Sequence, residues 1–159
     1  MIQNLMLISP AFFGSRNLPI LAKIPPFNFL LNGYINNLLK RENFAKLLEK
    51  VYLRKPEDYE IDSYLKPLLI KDTFKNVLYM LDVVEDVDFN PPAILSKIDM
   101  PILLIWGKKD SIVPLKNSYK FIKSIKDKKL IEIDDCGHNA METHTDIVFE
   151  SIMNFINFN

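Results

Sequence analysis

Two short apolar runs, separated by a segment with helical spacing, constrain the fold of this chain more than any other feature. The first run is Ile102–Trp106, which ends at Gly107, and the second is Leu130–Ile133, which ends at a pair of aspartates. Between the runs, apolar residues recur at helical spacing behind a proline; they are Leu115, Tyr119 and Ile122, after Pro114. A strand, a helix and a second strand at this spacing predict a βαβ unit with parallel strands.

A third apolar run, Leu5–Ile8, stops at Ser9 and Pro10. Like the other two it is short and does not alternate with polar residues, which is typical of parallel strands buried on both faces. A last helix is predicted from about Asp146, with an apolar stripe at helical spacing. The stripe consists of Val148, Ile152, Phe155 and Ile156. The sequence therefore predicts an α/β fold with three parallel strands and flanking helices.

Residues 20–92, between the first and second predicted strands, have a helical pattern throughout. One apolar stripe at helical spacing covers Phe44–Tyr52 and another covers Phe74–Leu81. A shorter helix is predicted at Ile61–Leu65, ending before Pro67 because a proline disfavours the helical conformation in the residue before it. We expect an all-helical insertion within the α/β framework.

The composition fits a single globular domain in a reducing environment. The 159 residues are 48% hydrophobic and 25% charged, and Lys+Arg and Asp+Glu each number 20. This balance excludes intrinsic disorder, and without surplus positive charge we expect no nucleic-acid partner. One cysteine excludes an internal disulfide framework. No apolar stretch is long enough to span a membrane and no signal peptide is recognisable, so we expect a cytoplasmic protein.

Two residues of catalytic type follow the second and third predicted strands. Asp110 lies in the stretch Gly107-Lys-Lys-Asp110 after one strand, and His138 follows Gly137 after the other. Ligands of open parallel sheets bind at the carboxyl ends of the strands, so both side chains are expected at that edge. A carboxylate there can accept the imidazole Nδ1–H, fix the tautomer and stabilise the imidazolium that forms when Nε2 takes a proton.

These motifs resemble the α/β-hydrolase family, whose closing part has strand-Gly-x-x-Asp, an Ile-Val-Pro helix start and a later strand followed by Gly-His. The resemblance implies a partial α/β-hydrolase fold. Residues 1–19 and 93–159 would form the C-terminal part of the core, and residues 20–92 a helical cap. It also implies that Asp110 is the acid of the catalytic triad and His138 its general base. Neither a cofactor nor a metal is expected.

The family's nucleophile motif, Gly-x-Ser-x-Gly, is not found in this sequence. None of its four glycines begins that pattern or the variant with aspartate, and the family's His-Gly oxyanion loop is missing too. Ser9 is interpreted as a strand-end residue and Ser15 as a loop residue. We therefore expect the chain to represent the C-terminal half of a hydrolase for small apolar ester-like substrates, with the nucleophile supplied elsewhere. The alternative is an inactive fragment that only binds a partner chain or a complementary N-terminal half.

The remaining candidate residues have simpler interpretations. Cys136 is two residues from His138, and a buried small hydrophobe is favoured over a thiol nucleophile. His144 is interpreted as a surface residue, because no second histidine is placed to form a metal site with it. Glu142 could orient the histidine loop, but a role at a helix N-terminus is favoured.

The strand Leu5–Ile8 is expected to have one unprotected edge. Residues 1–15 contain no charged side chain, so nothing there opposes pairing with a further strand. We expect either self-association or binding of an N-terminal half along this edge.

Overall fold

A computed structural model describes residues 3–11, 27–73, 76 and 90–158. The contacts divide the chain into two compact units. The sheet unit comprises Met1–Phe13, Lys50–Leu53 and Asn90–Asn159, and the helical unit comprises Gly14–Glu49 and Arg54–Phe89. The predicted stripe Phe74–Leu81 and the loop residue Ser15 lie outside the described residues.

The described part of the chain contains three strands and seven helices in mixed order. They are β1 (Leu5–Ile8), α1 (Phe27–Leu38), α2 (Arg41–Tyr52), α3 (Asp58–Leu68), α4 (Pro91–Leu95), β2 (Ile102–Gly107), α5 (Leu115–Ile122), β3 (Lys128–Ile133), α6 (Ala140–Thr143) and α7 (Thr145–Phe158). The strands form one parallel sheet in the order β1-β2-β3, in which Leu5 pairs with Ile102 and Ile102 with Lys128. The predicted α/β class is confirmed.

The central strand β2 is buried on both faces, and its residues alternate between two apolar cores. Ile102 through Trp106 have no exposed surface. The core on one face combines residues of β2, α4, α5 and the loops beside them; its buried members are Leu95, Ile102, Leu104, Trp106, Val113, Leu115, Phe121, Ile122 and Ile125. The core on the other face combines β2 and β3 with α6 and α7; its buried members are Leu103, Ile105, Ile133, Cys136, Ala140, Val148 and Phe155. Burial on both faces explains the continuous apolar sequence of β2.

The two predicted apolar stripes lie on buried helix faces except for one residue each, since Leu115, Ile122, Val148 and Phe155 are buried as predicted. In α5, Ser118 and Phe121 are buried, whereas Tyr119 is 42% exposed and donates its hydroxyl proton to Glu132 of β3 at 3.2 Å. In α7, Ile156 is exposed while Val148 and Phe155 face the sheet. A short stripe of apolar residues fixes the helix but leaves its rotation uncertain by one neighbouring position.

The helical unit contains α1, most of α2, and α3. Phe44 and Leu48 of α2 pack against Ile61 and Leu65 of α3 in a small apolar core. The prediction that α3 ends before Pro67 is wrong, because the helix continues to Leu68. The proline lies in the last turn, where it interrupts only one backbone hydrogen bond, and the N–H of Leu69 closes the turn onto Leu65 and Lys66 at 3.2 Å each.

The start of α3 is held by a buried carboxylate. Glu60 accepts the backbone N–H of Glu57 at 2.7 Å and two guanidinium N–H groups of Arg54 at 2.6 and 2.9 Å. The hydrogen bond from Arg54 lowers the pKa of Glu60 to about 2, although burial acts in the opposite direction. These hydrogen bonds at the first turn fix where α3 begins.

Among the described helices, none has both the length and the apolar character needed to cross a bilayer.

One edge of β1 carries no partner strand within the described residues. The backbone N–H of Leu5 donates to Pro101, just before β2, at 3.1 Å, and that of Ser9 donates to Ile105 of β2 at 2.9 Å. Because successive N–H groups of a strand point to opposite sides, those of Met6 and Ile8 point to the open edge. The strand has no charge, proline or bulge to protect that edge, which makes it a site for pairing with another strand.

We expect the polypeptide to self-associate through β1, and a pair of proline variants to separate this contact from folding. Met6→Pro removes an outward N–H and leaves the bonds to β2 intact, so it should weaken association at unchanged fold. Leu7→Pro removes an N–H that faces β2, so it should lower the melting temperature instead. Sedimentation velocity over a concentration series measures the association. A wild-type chain that stays monomeric at every concentration contradicts the expectation.

Candidate active site

The carboxyl ends of β2 and β3 lie side by side and carry the two predicted catalytic residues. Gly107 at the end of β2 is paired in register with Ile133 at the end of β3. Asp110 lies in the turn that follows β2, and His138 lies in the segment that follows β3. Both are therefore on the edge of the sheet at which ligands of open parallel sheets bind.

The absence of a side chain at Gly107 allows the segment after β3 to lie directly against the end of β2. A Cβ atom at this position would collide with the carbonyl oxygens of Gly137 and Cys136, and would lie 2.7 Å from the carbonyl carbon of Cys136. The N–H of Lys109 donates to the carbonyl oxygen of Cys136 at 3.0 Å across the same contact. Backbone packed against backbone thus sets the separation between the two loops.

Asp110 is a buried carboxylate with both oxygens engaged. Its Oδ1 accepts the backbone N–H groups of Ile112 and Val113 at 2.9 and 2.8 Å, and its Oδ2 lies 2.9 Å from His138 Nδ1. The side chain has no exposed surface. Burial raises the pKa of Asp110, but the hydrogen bonds from His138, Val113 and Ile112 lower it by more, so the pKa lies below its ordinary value. The carboxyl group is therefore ionised at neutral pH.

The ring of His138 is oriented by this carboxylate and remains partly open, with 28% of the side chain exposed. Because ionised Asp110 can only accept a hydrogen bond, Nδ1 must carry the proton and donate it. The tautomer follows from this geometry, and Nε2 is the nitrogen left to take up a proton. The structure brings together the two residues that the sequence singled out, in the arrangement expected of an oriented general base.

Ion pairs link the rims of the two turns. Lys108 Nζ lies 2.7 Å from Asp134, and Lys109 Nζ lies 2.5 Å from Asp135. The first two residues after β2 are thus paired with the first two after β3. All four side chains are largely exposed, and such pairs add little to stability. They favour the same approach of the two turns as the backbone contact at Gly107.

The last turn of α2 also contacts the histidine segment, which the sequence did not predict. The N–H of His138 donates to the carbonyl oxygen of Val51 at 3.0 Å, and the hydroxyl of Tyr52 donates to the carboxylate of Glu142. Glu142 lies in the first turn of α6, in agreement with the favoured interpretation, but its contact with Tyr52 was not part of that interpretation. The spacing of Glu142, four residues after His138, was the only local signal, because Tyr52 is 90 residues away in the chain.

The other candidate residues take no part in the Asp110–His138 pair. Cys136 is fully buried, and burial raises the pKa of its thiol, so it is not an activated nucleophile. His144 Nδ1 lies 3.0 Å from the hydroxyl of Thr143. Ser9 directly follows β1 and has a positive φ of 43° and a buried hydroxyl that has no partner among the described residues. No group of three or more potential metal ligands occurs in the part of the chain that is described.

Comparison with known proteins identifies the family of the chain. The family model for the alpha/beta hydrolase fold matches residues 7–145, which is most of the chain. The chain belongs to the alpha/beta hydrolase family. The predicted family and fold are thus confirmed, whereas the catalytic roles of Asp110 and His138 stay predictions.

Hydrolases of two bacteria are among the proteins similar in sequence to this chain. An uncharacterized hydrolase, YugF, of Bacillus subtilis (strain 168) is 31% identical over 125 residues, covering 77% of this chain and 45% of that protein. A 2-hydroxy-6-oxononadienedioate/2-hydroxy-6-oxononatrienedioate hydrolase of a Pseudomonas species is 28% identical over 136 residues, covering 80% and 45%. The chain spans about half the length of these relatives.

Solved alpha/beta hydrolase structures share the fold over nearly the whole chain. A serine hydrolase involved in carbazole degradation, the CarC enzyme, superposes with a TM-score of 0.73 at 22% identity, covering 99% of this chain and 55% of that one. A meta-cleavage product hydrolase from Pseudomonas fluorescens IP01 superposes with a TM-score of 0.71 at 16% identity, covering 98% and 56%. At these identities the likeness establishes the fold alone.

Replacing Asp110 with asparagine should change the acid limb of the stability profile. The pKa of Asp110 is lowered in the folded state, so its contribution is present above the unfolded-state value near 3.9 and is lost as pH falls through the folded-state value. Asp110→Asn should lower the free energy of unfolding at pH 7 by about 2 kcal/mol, the scale of hydrogen bonds to a buried charge. It should also make the decline of the free energy of unfolding below pH 5 less steep.

Urea unfolding across pH measures both effects, with exposed Asp134→Asn as the control. Wild-type and Asp110→Asn curves that run parallel at all pH values would refute the expectation.

A methyl group at Gly107 should separate the two turns. Gly107→Ala places a Cβ against carbonyl groups that cannot move without displacing the backbone, so it should destabilise the protein by about 2–3 kcal/mol. Gly33→Ala in α1 is the matched control, because a Cβ there meets nothing within 4 Å and alanine favours a helix. Urea unfolding compares the two variants. Equal stabilities would show that the contact at Gly107 does not constrain the turns.

Proposed function

We propose that this chain supplies the acid–base pair of a hydrolase, with His138 moving the proton and Asp110 orienting it. The observation that carries the proposal is the 2.9 Å contact between His138 Nδ1 and Asp110 Oδ2, made by a carboxylate whose other oxygen is held by two backbone N–H groups. A carboxylate held in this way cannot rotate away from the ring. The pair matches an acid and a base of a catalytic triad in kind and in chain order.

The proton path follows from the tautomer. Nε2 of His138 takes the proton from a nucleophile as the nucleophile attacks a carbonyl carbon, and the imidazolium gives that proton to the leaving group when the carbon–leaving-group bond breaks. Asp110 stays ionised throughout and stabilises the imidazolium. In the second half-reaction, His138 takes a proton from water, the hydroxide attacks the acyl intermediate, and the proton returns to the nucleophile.

The nucleophile of this proposal comes from polypeptide that is not part of the sequence. The sequence contains no Gly-x-Ser-x-Gly, and it corresponds to about half of the relatives it matches. The nucleophile of this family precedes the acid and the histidine in the chain. By itself this polypeptide is therefore expected not to turn over esters. The cap role of residues 20–92 and the cytoplasmic location likewise remain predictions.

We propose carbonyl compounds of two kinds as substrates. Small apolar esters are one, and the 2-hydroxy-6-oxodienoates that name several relatives are the other. Both present a carbonyl carbon to a nucleophile, and in both the departing group, an alkoxide oxygen or a carbanion, needs a proton. The proposal assigns the supply of this proton to His138 Nε2 in either case.

A second function is supported by a separate observation. The open edge of β1, which lacks charge and lacks a partner among the described strands, suits addition of another strand. Together with the missing nucleophile motif, this favours a non-catalytic chain that binds a partner or a complementary half as the alternative.

A fusion experiment separates the two functions. The part of the Pseudomonas hydrolase that this chain does not match would be joined ahead of Gln3, and the turnover of p-nitrophenyl esters and of a 2-hydroxy-6-oxodienoate would be measured. The acid–base proposal expects turnover in the fusion, reduced at least about 10³-fold by His138→Ala or Asp110→Asn and unaffected by the control His144→Ala.

Two results would overturn the acid–base proposal. A folded fusion with no activity favours the binding function, and activity that survives His138→Ala shows that another residue moves the proton. Turnover by the unfused chain that depends on His138 would contradict the expectation that the nucleophile lies elsewhere.

A further inference from the structure

The last turn of α2 belongs to the sheet unit and contacts the segment that carries His138. Residues Lys50–Leu53 group with the strands in the division of contacts. Three contacts join this turn to the histidine segment: Val51 accepts the N–H of His138 at 3.0 Å, Gly137 lies against the same carbonyl group, and Tyr52 donates to Glu142. The contacts flank His138 on both sides along the chain.

The Val51 carbonyl is available because α2 stops there. The last four carbonyl groups of a helix have no intrahelical donor, and Val51 is the next-to-last residue of α2. Leu53 adopts a left-handed conformation with φ of 58°, which ends the helix without a glycine. The His138 N–H donates to one of these carbonyls. This bond therefore gives a partner both to a donor of the histidine segment and to an acceptor at the end of α2.

Close packing at Gly137 keeps this contact short. A Cβ at Gly137 would collide with the carbonyl oxygen of Val51. It would also lie 3.1 Å from the carbonyl carbon of Val51 and 3.3 Å from Cγ of Leu53. The φ of Gly137 is not positive, so its lack of a side chain serves the close approach and not an unusual backbone conformation.

The backbone bond at His138 alone does not fix the direction of its side chain, because the chain after it can still turn about this one point. The second contact, at Glu142 in α6, lies one helical turn beyond His138. Tyr52 is only 2% exposed, so its hydroxyl is held in place by packing and offers a fixed donor to an exposed carboxylate. Two anchors, one at His138 and one at Glu142, restrict the rotation of the segment between them more than one anchor does.

We propose that Tyr52 is a positioning residue for His138. By holding Glu142, and through it α6, the tyrosine keeps the histidine segment in the orientation in which Nδ1 meets Asp110. The role rests on the proposed function of His138 in proton transfer, and it acts through the segment without contact to a substrate.

The experiment measures the ring and the backbone of His138 in the whole chain, without an activity assay. Tyr52→Phe removes one hydroxyl and keeps the buried ring. In Tyr52→Phe we expect the amide hydrogens of residues 136–143 to exchange about five- to tenfold faster than in the wild type, while exchange in β3 is unchanged. Ring ¹⁵N shifts of His138 should move from a pure Nδ1–H form toward a mixture of tautomers, which a loss of general stability would not cause.

Matched variants identify the contact responsible. Tyr119→Phe removes another tyrosine–glutamate hydrogen bond of the sheet unit, that between Tyr119 and Glu132, and should leave the signals of His138 unchanged. Glu142→Ala removes the exposed partner of the same hydrogen bond and should have the effect expected of Tyr52→Phe. It therefore tests the contact even if the tyrosine variant folds poorly. The double variant should add little to either single one, because both remove the same interaction.

The proposal is overturned if Tyr52→Phe and Glu142→Ala leave the tautomer of His138 as in the wild type, or if exchange rises equally in β3. That outcome leaves the acid–base function standing, since the function is judged by the activity of the fusion. Conversely, if the fusion is inactive but Tyr52→Phe still changes the tautomer of His138 as expected, the acid–base function is refuted. The positioning of His138 by Tyr52 then stands.

Discussion

The contact between Gly107 and the backbone of Cys136 and Gly137 determines most of what surrounds the candidate site. It joins the ends of two neighbouring strands without an intervening side chain, so the turns that follow them begin at a fixed separation. From that point, three residues lead to Asp110 and one to His138. Only four glycines occur in the sequence, and two of them, Gly107 and Gly137, lie at this contact and the adjoining one with α2.

The buried charge of Asp110 is tolerated because its surroundings compensate for the loss of water. A carboxylate without exposed surface is costly unless its oxygens accept hydrogen bonds. Here two backbone N–H groups and an imidazole provide them, and their combined effect on the pKa of Asp110 exceeds that of burial. The same bonds that stabilise the charge also fix its position, so the group that orients His138 is itself held in place.

The sequence predicted the features that depend on local pattern. Apolar runs located all three strands, and their ends located Asp110 and His138, because parallel strands place their carboxyl ends at one edge. It did not predict the contact of Tyr52 with Glu142 or the assignment of Lys50–Leu53 to the sheet unit. Helical periodicity states which residues share a face, but it carries no information on which distant segment covers that face, and a left-handed leucine such as Leu53 has no sequence signal.

The strand order has a consequence for the order in which the molecule folds. β2 and β3 are separated in the chain only by residues 108–127, which include α5, whereas β1 must return to β2 across residues 9–101. The entropy lost on closing a loop grows with its length, so the β2–β3 pair should form first and β1 should dock onto an already assembled edge. Pulse-labelling hydrogen exchange would detect this as early protection of β2 and β3 and late protection of β1. During synthesis, the uncharged strand β1 would then wait for its partner β2 until β2 and β3 have both been made.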